Sequence, residues 1–464
     1  MLFRQLIHED LGCASYLVAD RDGGVAAVID PQWDIDPYRR LARLHGVRIE
    51  HVLETHNHAD HVSGHGRLAR ATGATIHIHE LAGAEYPHEA FADGWTLEMG
   101  EVSIEAIHTP GHRPEHTSFL LRDGARGGSP WALLSGDSLF IGDVARPDLA
   151  IEPREGAIGV FRSLHERLLT LPDEVEVWPG HLGGSLCGGS GLDLKTSSTI
   201  GFERRHNRAL QIADEDEFVE DAVASLGDRP PNVERIVDLN RGPLVNDFGT
   251  PSRLTPHEVE VAVAAGAVVI DGRTNEEFDE SHIPGALSTS AYDTGFATKV
   301  SLVAPEGAPL ILLAASDTDE RDAAELLASV GMPVLGFLEG GMTAWRTDGR
   351  PVEGIELIDP TELADRLGGP EPPLILDVRS GGEYATEHIP GSMHIPYGEL
   401  GERLDELPRE RQIATICRGG KRSGLAASIL KREGFDAVVH VGQGVGVWRR
   451  IGGAVEGGDA AAAP

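Results

Sequence analysis

The sequence predicts an α/β protein of three domains, in which a large N-terminal domain precedes two smaller α/β units with parallel sheets. Three observations carry this prediction. The chain has 464 residues, which is too long for one compact fold because a typical domain has about 150. Short β-rich runs alternate with helical stretches along its first half. In the second half, one set of motifs occurs twice.

The first domain is predicted to span residues 1–245. Apolar runs rich in β-branched residues mark its strands, and polar or glycine-containing turns separate them. Histidines stand at or just beyond several strand ends. The runs are Val25–Ile29, Ile49–Leu53, Thr75–His79, Val102–Ile107 and Trp131–Leu134.

An internal repeat defines the two units that follow. Asp271-Gly-Arg273 and His282-Ile-Pro-Gly285 recur as Asp377-Val-Arg379 and His388-Ile-Pro-Gly391, at an offset of 377 − 271 = 106 residues. A repeat of this length is a whole domain, since solenoid repeats have about 20 to 50 residues. In each unit a strand precedes the Asp-x-Arg turn and helices alternate with strands thereafter, which predicts a parallel sheet covered on both faces. The units are predicted to span 253–350 and 358–455.

The charge balance excludes some partners. Asp and Glu number 74 against 40 Lys and Arg, a net charge of −34, which repels nucleic acids and anionic membranes. An anionic substrate would therefore need a local cluster of positive charge. The three cysteines, Cys13, Cys187 and Cys417, cannot form a disulfide framework. Because the sequence has neither a signal-peptide pattern nor a run of about 20 apolar residues, we expect a cytoplasmic protein.

Side chains suited to metal binding follow the predicted strands of the first domain. The stretch from Thr55 to His61 comes directly after the run Ile49–Leu53. Downstream, Pro-Gly-His, Ser-Gly-Asp and Pro-Gly-His turns follow later strands. Glycine in such turns lets the backbone bend sharply and bring a ligand inward. The seven metal-competent side chains are His56, His58, Asp60, His61, His112, Asp137 and His181.

This pattern resembles the metallo-β-lactamase superfamily, which implies an αββα sandwich with the metal at the strand ends. One ligand set that the resemblance implies is that of a dinuclear zinc hydrolase. In that set His56, His58 and His112 hold one zinc, Asp60, His61 and His181 hold the other, and Asp137 bridges the two. Residue type does not decide which metal binds.

The surrounding stretches resemble one branch of that superfamily, the persulfide dioxygenases. They are His112–Phe119, Gly136–Phe140, Asp143–Leu149, Gly183–Gly188 and Ser198–Arg205. This resemblance implies one Fe(II) per chain, held by His56, His112 and Asp137. The groups around these ligands are His58, Asp60, His61 and His181. Two histidines and a carboxylate leave three positions open on iron, so that a persulfide sulfur and O₂ can bind side by side.

Two further residues near this cluster have open roles. Arg146 is a candidate for binding a substrate carboxylate or for a structural pair with Asp143 or Asp148. Cys187 lies in a glycine-rich loop close to His181 in sequence. We interpret it as a small buried cysteine rather than as a thiol that carries persulfide.

The two repeated units resemble rhodanese domains, and one loop distinguishes them. In the second unit the apolar run Ile413–Ile416 leads into Cys417 and then into a helical stretch. The loop can direct backbone N–H groups at the sulfur, and the helix N-terminus with its basic side chains favours a thiolate that accepts a sulfane sulfur. The same donors would hold sulfite or thiosulfate. The loop residues assigned to substrate binding are Arg418, Gly419, Gly420, Lys421, Arg422 and Ser423.

The first unit lacks this loop chemistry. Similarity late in the repeat has an offset of 448 − 345 = 103 residues, from the tryptophans Trp345 and Trp448, and it aligns Cys417–Ser423 with Ala314–Glu320. The aligned segment has no cysteine and carries three carboxylates, which would repel an anionic sulfur compound. The first unit is therefore predicted to be catalytically inactive and to act as a spacer or docking surface.

The order of domains resembles that of fused persulfide dioxygenase and sulfurtransferase proteins of sulfide detoxification. We expect iron-dependent oxidation of a small thiol persulfide, such as glutathione persulfide, by O₂ to sulfite. We expect Cys417 to transfer persulfide sulfur to sulfite, giving thiosulfate. Because members of this branch often dimerise or tetramerise, the resemblance also implies a homo-oligomer. The alternatives are a dinuclear zinc thioester hydrolase of the glyoxalase II type with an accessory sulfurtransferase domain, and a non-enzymatic persulfide carrier or sensor with a structural metal.

Overall fold

The computed structural model describes residues 1–183, 193, 195–226 and 232–457. The chain divides into two compact units. The first contains Met1–Phe248 and the short segment Ala328–Gly331, and the second contains Gly249–Leu327 and Met332–Pro464. None of the helices in the described ranges combines the length and the apolar character that crossing a membrane requires.

Two six-stranded mixed sheets form the first unit. One has the strand order β1-β2-β3-β4-β5-β6, in which β3 to β6 are parallel. Its strands are β1 (Leu2–His8), β2 (Cys13–Asp20), β3 (Val25–Ile29), β4 (Arg48–Leu53), β5 (Thr75–His79) and β6 (Glu89–Phe91). The other sheet has the order β12-β11-β10-β9-β8-β7, in which β10 and β11 are parallel. Its strands are β7 (Thr96–Met99), β8 (Val102–His108), β9 (Thr117–Asp123), β10 (Pro130–Gly136), β11 (Glu176–Pro179) and β12 (Ser198–Thr199).

The two sheets pack face to face and helices cover their outer faces. Ile29 of the first sheet and Leu134 of the second belong to one buried cluster between the sheets. The neighbouring Val28 and Leu133 point the other way and pack in clusters that contain helical side chains, since side chains alternate along a strand. The helices are α1 (Asp36–His45), α2 (His65–Thr72), α3 (Pro153–Arg162), α4 (Ile200–His206), α5 (Glu215–Ala224) and α6 (Val233–Arg241). The predicted αββα sandwich is confirmed.

The second unit contains two five-stranded sheets in which all the pairings are parallel. The first sheet has the order β13-β17-β16-β14-β15 and the second has the order β18-β22-β21-β19-β20. The first set is β13 (Ser252–Leu254), β14 (Val268–Asp271), β15 (Leu287–Ser288), β16 (Leu310–Leu313) and β17 (Val334–Leu338). The second set is β18 (Glu356–Ile358), β19 (Leu374–Asp377), β20 (Met393–His394), β21 (Ile413–Ile416) and β22 (Val438–Val441). The two orders are equivalent, so the predicted pair of α/β units with parallel sheets is confirmed.

The helices of the second unit repeat as well. In the first copy they are α7 (Pro256–Ala264), α8 (Asn275–Glu280), α9 (Phe296–Val303), α10 (Asp317–Ser329) and α11 (Gly341–Thr347). In the second copy they are α12 (Pro360–Leu367), α13 (Gly381–Thr386), α14 (Lys421–Arg432) and α15 (Gly444–Arg450). Each copy therefore alternates strands with helices, as the sequence predicts.

The repeated motifs stabilise the local fold. Asp271 and Arg273 form a buried ion pair at 2.6 Å, and Asp377 with Arg379 forms the equivalent pair. Thr274 and Glu277 form a capping box at the start of α8, in which the side chain of each accepts a hydrogen bond from the backbone N–H of the other. Their counterparts in the second copy do the same for α13. These shared residues stabilise the turn that follows β14 in the first copy and β19 in the second. This structural role explains why the motifs are repeated, and no catalytic role is needed.

Candidate functional site

Three side chains from three different strand ends meet in the first unit. His56 follows β4, His112 follows β8 and Asp137 follows β10. Their ligand atoms lie within 4.8 Å of one another, and the Nε2 atoms of the two histidines are 3.9 and 3.6 Å from Asp137 Oδ2. All three side chains are buried, and none of these atoms has a hydrogen-bond partner among the described residues. Because buried polar atoms are nearly always paired, the arrangement fits a bound metal cation.

Hydrogen bonds fix the orientation of both imidazole rings. Thr55 Oγ1 donates to Asp30 Oδ2 at 2.9 Å and therefore accepts from His56 Nδ1, also at 2.9 Å. His112 Nδ1 donates to the backbone carbonyl of Arg146 at 3.1 Å. Each ring thus carries a proton on Nδ1 and presents an Nε2 lone pair to the site. Burial lowers the pKa of both histidines, which favours the neutral form that a metal requires.

Asp137 is held from two sides. Its Oδ1 accepts from His181 Nδ1 at 2.8 Å, and its backbone N–H donates to His116 Nε2 at 2.9 Å. Burial alone would raise the pKa of Asp137, but the charge and hydrogen bond of His181 outweigh it and hold the pKa at about 2. Burial lowers the pKa of His116 to about 3, so its neutral ring can accept the backbone bond. Asp137 Oδ2 is therefore an ionised ligand atom that has no hydrogen-bond partner among the residues that the structure describes.

The backbone turn before Asp137 requires glycine. Gly136 has a φ of 52°, in the left-handed region that side chains disfavour. A Cβ at this position would lie 2.7 Å from His116 Nε2. The Gly-Asp pair of the motif therefore sets both the direction of the carboxylate and the space for the ring beside it.

Three of the remaining candidate ligands bind one another. His181 Nε2 lies 2.8 Å from Asp60 Oδ2, and His61 Nδ1 lies 3.1 Å from Asp60 Oδ1. Asp60 thus links two imidazoles, and His181 links Asp60 to Asp137. His61 Nε2 has no hydrogen-bond partner in the described ranges. Through this chain of hydrogen bonds, Asp60 and His181 hold the carboxylate of Asp137 in place.

His58 is directed at carboxylates as well. Its Nε2 lies 3.2 Å from Asp30 Oδ1 and 3.3 Å from Glu54 Oε2. Burial lowers the pKa of His58, but the two carboxylates outweigh it and raise the pKa well above the ordinary value. A protonated imidazole cannot bind a metal. His58 could therefore bind a metal only after losing this proton.

The two open roles near the cluster have different outcomes. Arg146 forms a two-pronged ion pair with Asp148, whose carboxylate oxygens lie 2.7 and 2.9 Å from Nε and the terminal nitrogen. Its side chain is 8 % exposed. This geometry favours the structural pair over the substrate-binding role. Cys187 lies outside the described residues.

The cysteine loop directly follows β21 and leads into α14. Cys417 is 1 % exposed, and its Sγ accepts the Gly420 N–H at 3.1 Å and lies 3.4 Å from Ser423 Oγ. Gly420 has a φ of 100°, so the turn requires glycine. The N-terminus of the twelve-residue helix α14 adds partial positive charge. The loop can therefore stabilise an anionic sulfur.

The basic side chains expected around the sulfur differ in their availability. Arg422 pairs with Glu383 at 2.8 Å, and this bond holds the pKa of Glu383 at about 2 although burial raises it. Lys421 pairs with Asp293. Arg418 lines a cavity of about 500 Å³ beside the loop. The other cations that line this cavity are Arg379, Arg449 and Arg450. Glu383 and Glu387 line it as well, and Arg379 and Arg449 pair with Asp377 and Glu387. An anion that approaches the loop from this side therefore meets more cations than carboxylates, with part of the arginine charge already neutralised.

The equivalent loop of the first copy is acidic. Arg253 pairs there with Asp317 at 3.2 Å and with Glu320 at 2.5 Å. Ser316 donates to Asp319 at 2.6 Å. The segment contains no cysteine, and its carboxylates lie at the helix N-terminus where the second copy has Lys421 and Arg422. The predicted inactivity of this copy remains a prediction.

Two supporting residues of the metal cluster were missed by the sequence analysis. Thr55 precedes His56 directly, and His116 lies four residues beyond His112 in the same turn. Their position beside the ligands was an available signal. Their roles depend on Asp30 and on the backbone of Asp137, and only the folded sheets bring those groups close.

Comparison with known proteins finds two kinds of domain in the chain. Residues 8–181 match the model of the metallo-beta-lactamase superfamily, and residues 255–348 and 359–450 each match a rhodanese-like domain. Persulfide dioxygenase ETHE1 of Homo sapiens is 31 % identical over 223 residues, which cover 47 % of this chain and 79 % of that protein. A Burkholderia pseudomallei protein named "Probable metallo-hydrolase" is 31 % identical over 242 residues, 44 % of this chain and 79 % of that one.

A solved structure extends the similarity beyond the first unit. The metallo-beta-lactamase of Staphylococcus aureus has a TM-score of 0.65 and 28 % identity, covering 73 % of this chain and 98 % of that chain. The fold and the homologues imply a bound metal ion, for which the first unit has candidate ligands. The chain therefore belongs to the metallo-beta-lactamase superfamily, as a homologue of the persulfide dioxygenases that carries two rhodanese-like domains, and it is an enzyme of sulfur metabolism.

Proposed function

We propose that the first unit oxidises the terminal sulfur of a small thiol persulfide to sulfite with O₂, and that Cys417 transfers persulfide sulfur to sulfite to give thiosulfate. One observation carries the first half of this proposal. His56 Nε2, His112 Nε2 and Asp137 Oδ2 are buried, close together and unpartnered in the described part of the chain. Two imidazoles and one carboxylate are the ligands of Fe(II) centres that activate O₂.

The oxidation balances without a further reductant. One persulfide, one O₂ and one water give one thiol, one sulfite and two protons. Iron, when bound, would supply open coordination positions and redox chemistry that zinc lacks. The protein holds both imidazoles in the required tautomer through Thr55 and the Arg146 carbonyl. His181 keeps Asp137 ionised.

The transfer step uses the loop of the second rhodanese-like domain. The Cys417 thiolate attacks the outer sulfur of a persulfide, the sulfur–sulfur bond of that persulfide breaks, and the parent thiol leaves with the proton. Sulfite then attacks the outer sulfur on Cys417, which releases thiosulfate and restores the thiolate. The Gly420 N–H donates to the sulfur that carries charge in both steps, and Ser423 Oγ lies 3.4 Å from it. The arginine-lined cavity supports access of the dianion sulfite.

Metal content and O₂ uptake test the oxidation. We expect about one iron per chain and O₂ consumption on glutathione persulfide. The Asp137→Ala variant should lose both, whereas Asp22→Ala, which removes an exposed carboxylate of the same unit, should lose neither. A protein in which Asp137→Ala leaves persulfide handling intact would instead be a carrier or sensor with a structural metal.

A dinuclear zinc thioester hydrolase is the second candidate. The second cluster of His58, Asp60 and His61 favours it, because their ligand atoms also lie within 4.8 Å of one another. The similarity to a protein named as a metallo-hydrolase agrees with it. In this case the purified protein would hold about two zinc ions, consume no O₂ and hydrolyse thioesters. That result would refute the dioxygenase proposal and leave the role of Cys417 to be tested separately.

A further inference from the structure

Side chains of the first rhodanese-like domain reach the cysteine loop of the second. Asp279 Oδ2, on α8, lies 2.6 Å from His440 Nδ1, on β22. The opposite ring atom, His440 Nε2, lies 2.8 Å from the carbonyl oxygen of Gly420. Asn275, also on α8, donates to the same carbonyl at 3.2 Å. Asp279 and His440 are 5 % and 2 % exposed, so water does not compete for these bonds.

The two hydrogen bonds of His440 determine which of its ring nitrogens donates to the Gly420 carbonyl. A neutral imidazole donates from one nitrogen only, and the carbonyl of Gly420 can only accept. The short contact to Asp279 therefore needs an additional proton, shared between the carboxyl group and Nδ1. With that proton in place the ring is held at both ends, and the bond to the carbonyl keeps a fixed direction.

Gly420 transmits this restraint to the sulfur. The same residue that accepts the His440 bond at its carbonyl donates its N–H to Cys417 Sγ at 3.1 Å. Gly420 has a φ of 100° and no Cβ, so its own backbone can adopt many conformations. The direction of its N–H therefore depends on the bonds made by its neighbours. Within the second copy its carbonyl accepts from Ser423 Oγ at 2.9 Å and from the Gly424 N–H at 3.0 Å. The bonds from His440 and Asn275 add a further restraint from outside the loop.

The residues that make the contact are specific to their own copy. At the offset of 106, Asp279 aligns with Ala385 and Asn275 aligns with Gly381. At the offset of 103, His440 aligns with Phe337. The shared Asp-x-Arg and capping residues, by contrast, maintain the fold of both copies. The contact is therefore an addition to the common fold, made where one copy meets the reactive loop of the other.

We propose that Asp279 and Asn275 of the first rhodanese-like domain are positioning residues for sulfur transfer at Cys417. The domain without a nucleophile completes the site of the domain that has one, acting through His440 and Gly420. This inference rests on the proposed function, because it assigns the residues to the transfer step.

The test compares three substitutions in the full chain. Asp279→Ala, which introduces the residue of the other copy, should lower kcat for sulfur transfer from thiosulfate about tenfold, the effect of one lost buried hydrogen bond. KM for thiosulfate should not change, because the arginine-lined cavity is untouched. Asp279→Asn should restore kcat, since the amide can donate to His440 Nδ1 and let Nε2 donate to Gly420. Glu280→Ala, which removes an exposed carboxylate from the same helix, should have no effect.

A second measurement separates this inference from the proposed function. The rate at which iodoacetamide alkylates Cys417, followed by mass spectrometry of its peptide, should fall in Asp279→Ala and recover in Asp279→Asn. If the wild-type protein transfers no sulfur, the proposed function fails while the alkylation rates still test the positioning. If Asp279→Ala does not fold, Asn275→Ala at the half-buried start of α8 should slow alkylation by about threefold. Wild-type rates in the folded alanine variants, or equal losses in Asp279→Ala and Asp279→Asn, would overturn the inference.

Discussion

Replacing Thr55 by valine should weaken metal binding although Thr55 is not a ligand. Valine keeps the volume and the branched shape but removes the hydroxyl. That hydroxyl accepts from His56 Nδ1 and donates to Asp30 Oδ2, both at 2.9 Å, and Thr55 is 1 % exposed. The substitution therefore leaves a buried N–H unpaired and removes one bond from a buried carboxylate.

The expected size follows from the cost of an unpaired buried group, about 1–3 kcal/mol. If this cost falls on the orientation of His56, it corresponds to a loss of about 10- to 100-fold in metal affinity, since about 1.4 kcal/mol is tenfold. Anaerobic titration of metal-free protein with Fe(II) measures the affinity. Thr55→Ser should restore most of it, because serine keeps the hydroxyl.

Thr72→Val is the matched control. It removes a threonine hydroxyl that bonds the carbonyl of Leu68 on α2, away from the metal cluster. Its metal affinity should equal that of the wild type. If folded Thr55→Val protein also bound Fe(II) with wild-type affinity, the tautomer of His56 would not depend on Thr55, and the reasoning from hydrogen bonds would be wrong.

Three further predictions concern the second rhodanese-like domain. Cys417→Ser should abolish thiosulfate formation and leave O₂ uptake on glutathione persulfide unchanged, and equal loss of both activities would show that the two sites are not independent. Arg450→Ala should raise KM for thiosulfate about 3- to 10-fold without lowering kcat, whereas the exposed Arg346→Ala in the first copy should not, as steady-state kinetics would show. The pKa of Glu383 falls from an ordinary value of 4.5 to about 2 through its bond to Arg422. Its stabilising effect is therefore present above the ordinary value and is lost as the pH falls toward 2. Glu383→Gln should accordingly lower the urea midpoint at neutral pH and lower it less at roughly pH 3, and an equal shift at both pH values would contradict the assignment.

The sequence was sufficient for the fold and for the position of each metal-binding motif. Strand ends and ligands are adjacent in the chain, so the run before His56 and the turn before Asp137 predict both strand and site. The repeat likewise predicts two sheets of equivalent order, because the same residues form the same buried pair in each copy.

Contacts between residues far apart in the chain could not be predicted from the sequence. The basic residues after Cys417 suggested a uniformly cationic loop. The structure pairs Lys421 with Asp293, which lies 128 positions earlier, since 421 − 293 = 128. The bond between Asp279 and His440 spans 161 positions. No local pattern specifies such pairs, because they depend on how two copies of one fold pack together.

The arginine-lined cavity beside Cys417 has a consequence for the dependence of sulfur transfer on ionic strength. The whole chain carries a net charge of −34, while the cavity is lined by four arginines and two glutamates. They are Arg379, Arg418, Arg449, Arg450, Glu383 and Glu387. In about 0.01 M salt, electrostatic forces extend about 30 Å, so a sulfite dianion is repelled by the surrounding acidic surface. At about 0.15 M they extend about 8 Å, and the nearby arginines dominate. Moderate salt should therefore speed the approach of the anion, opposite to the behaviour of an enzyme whose overall charge attracts its substrate.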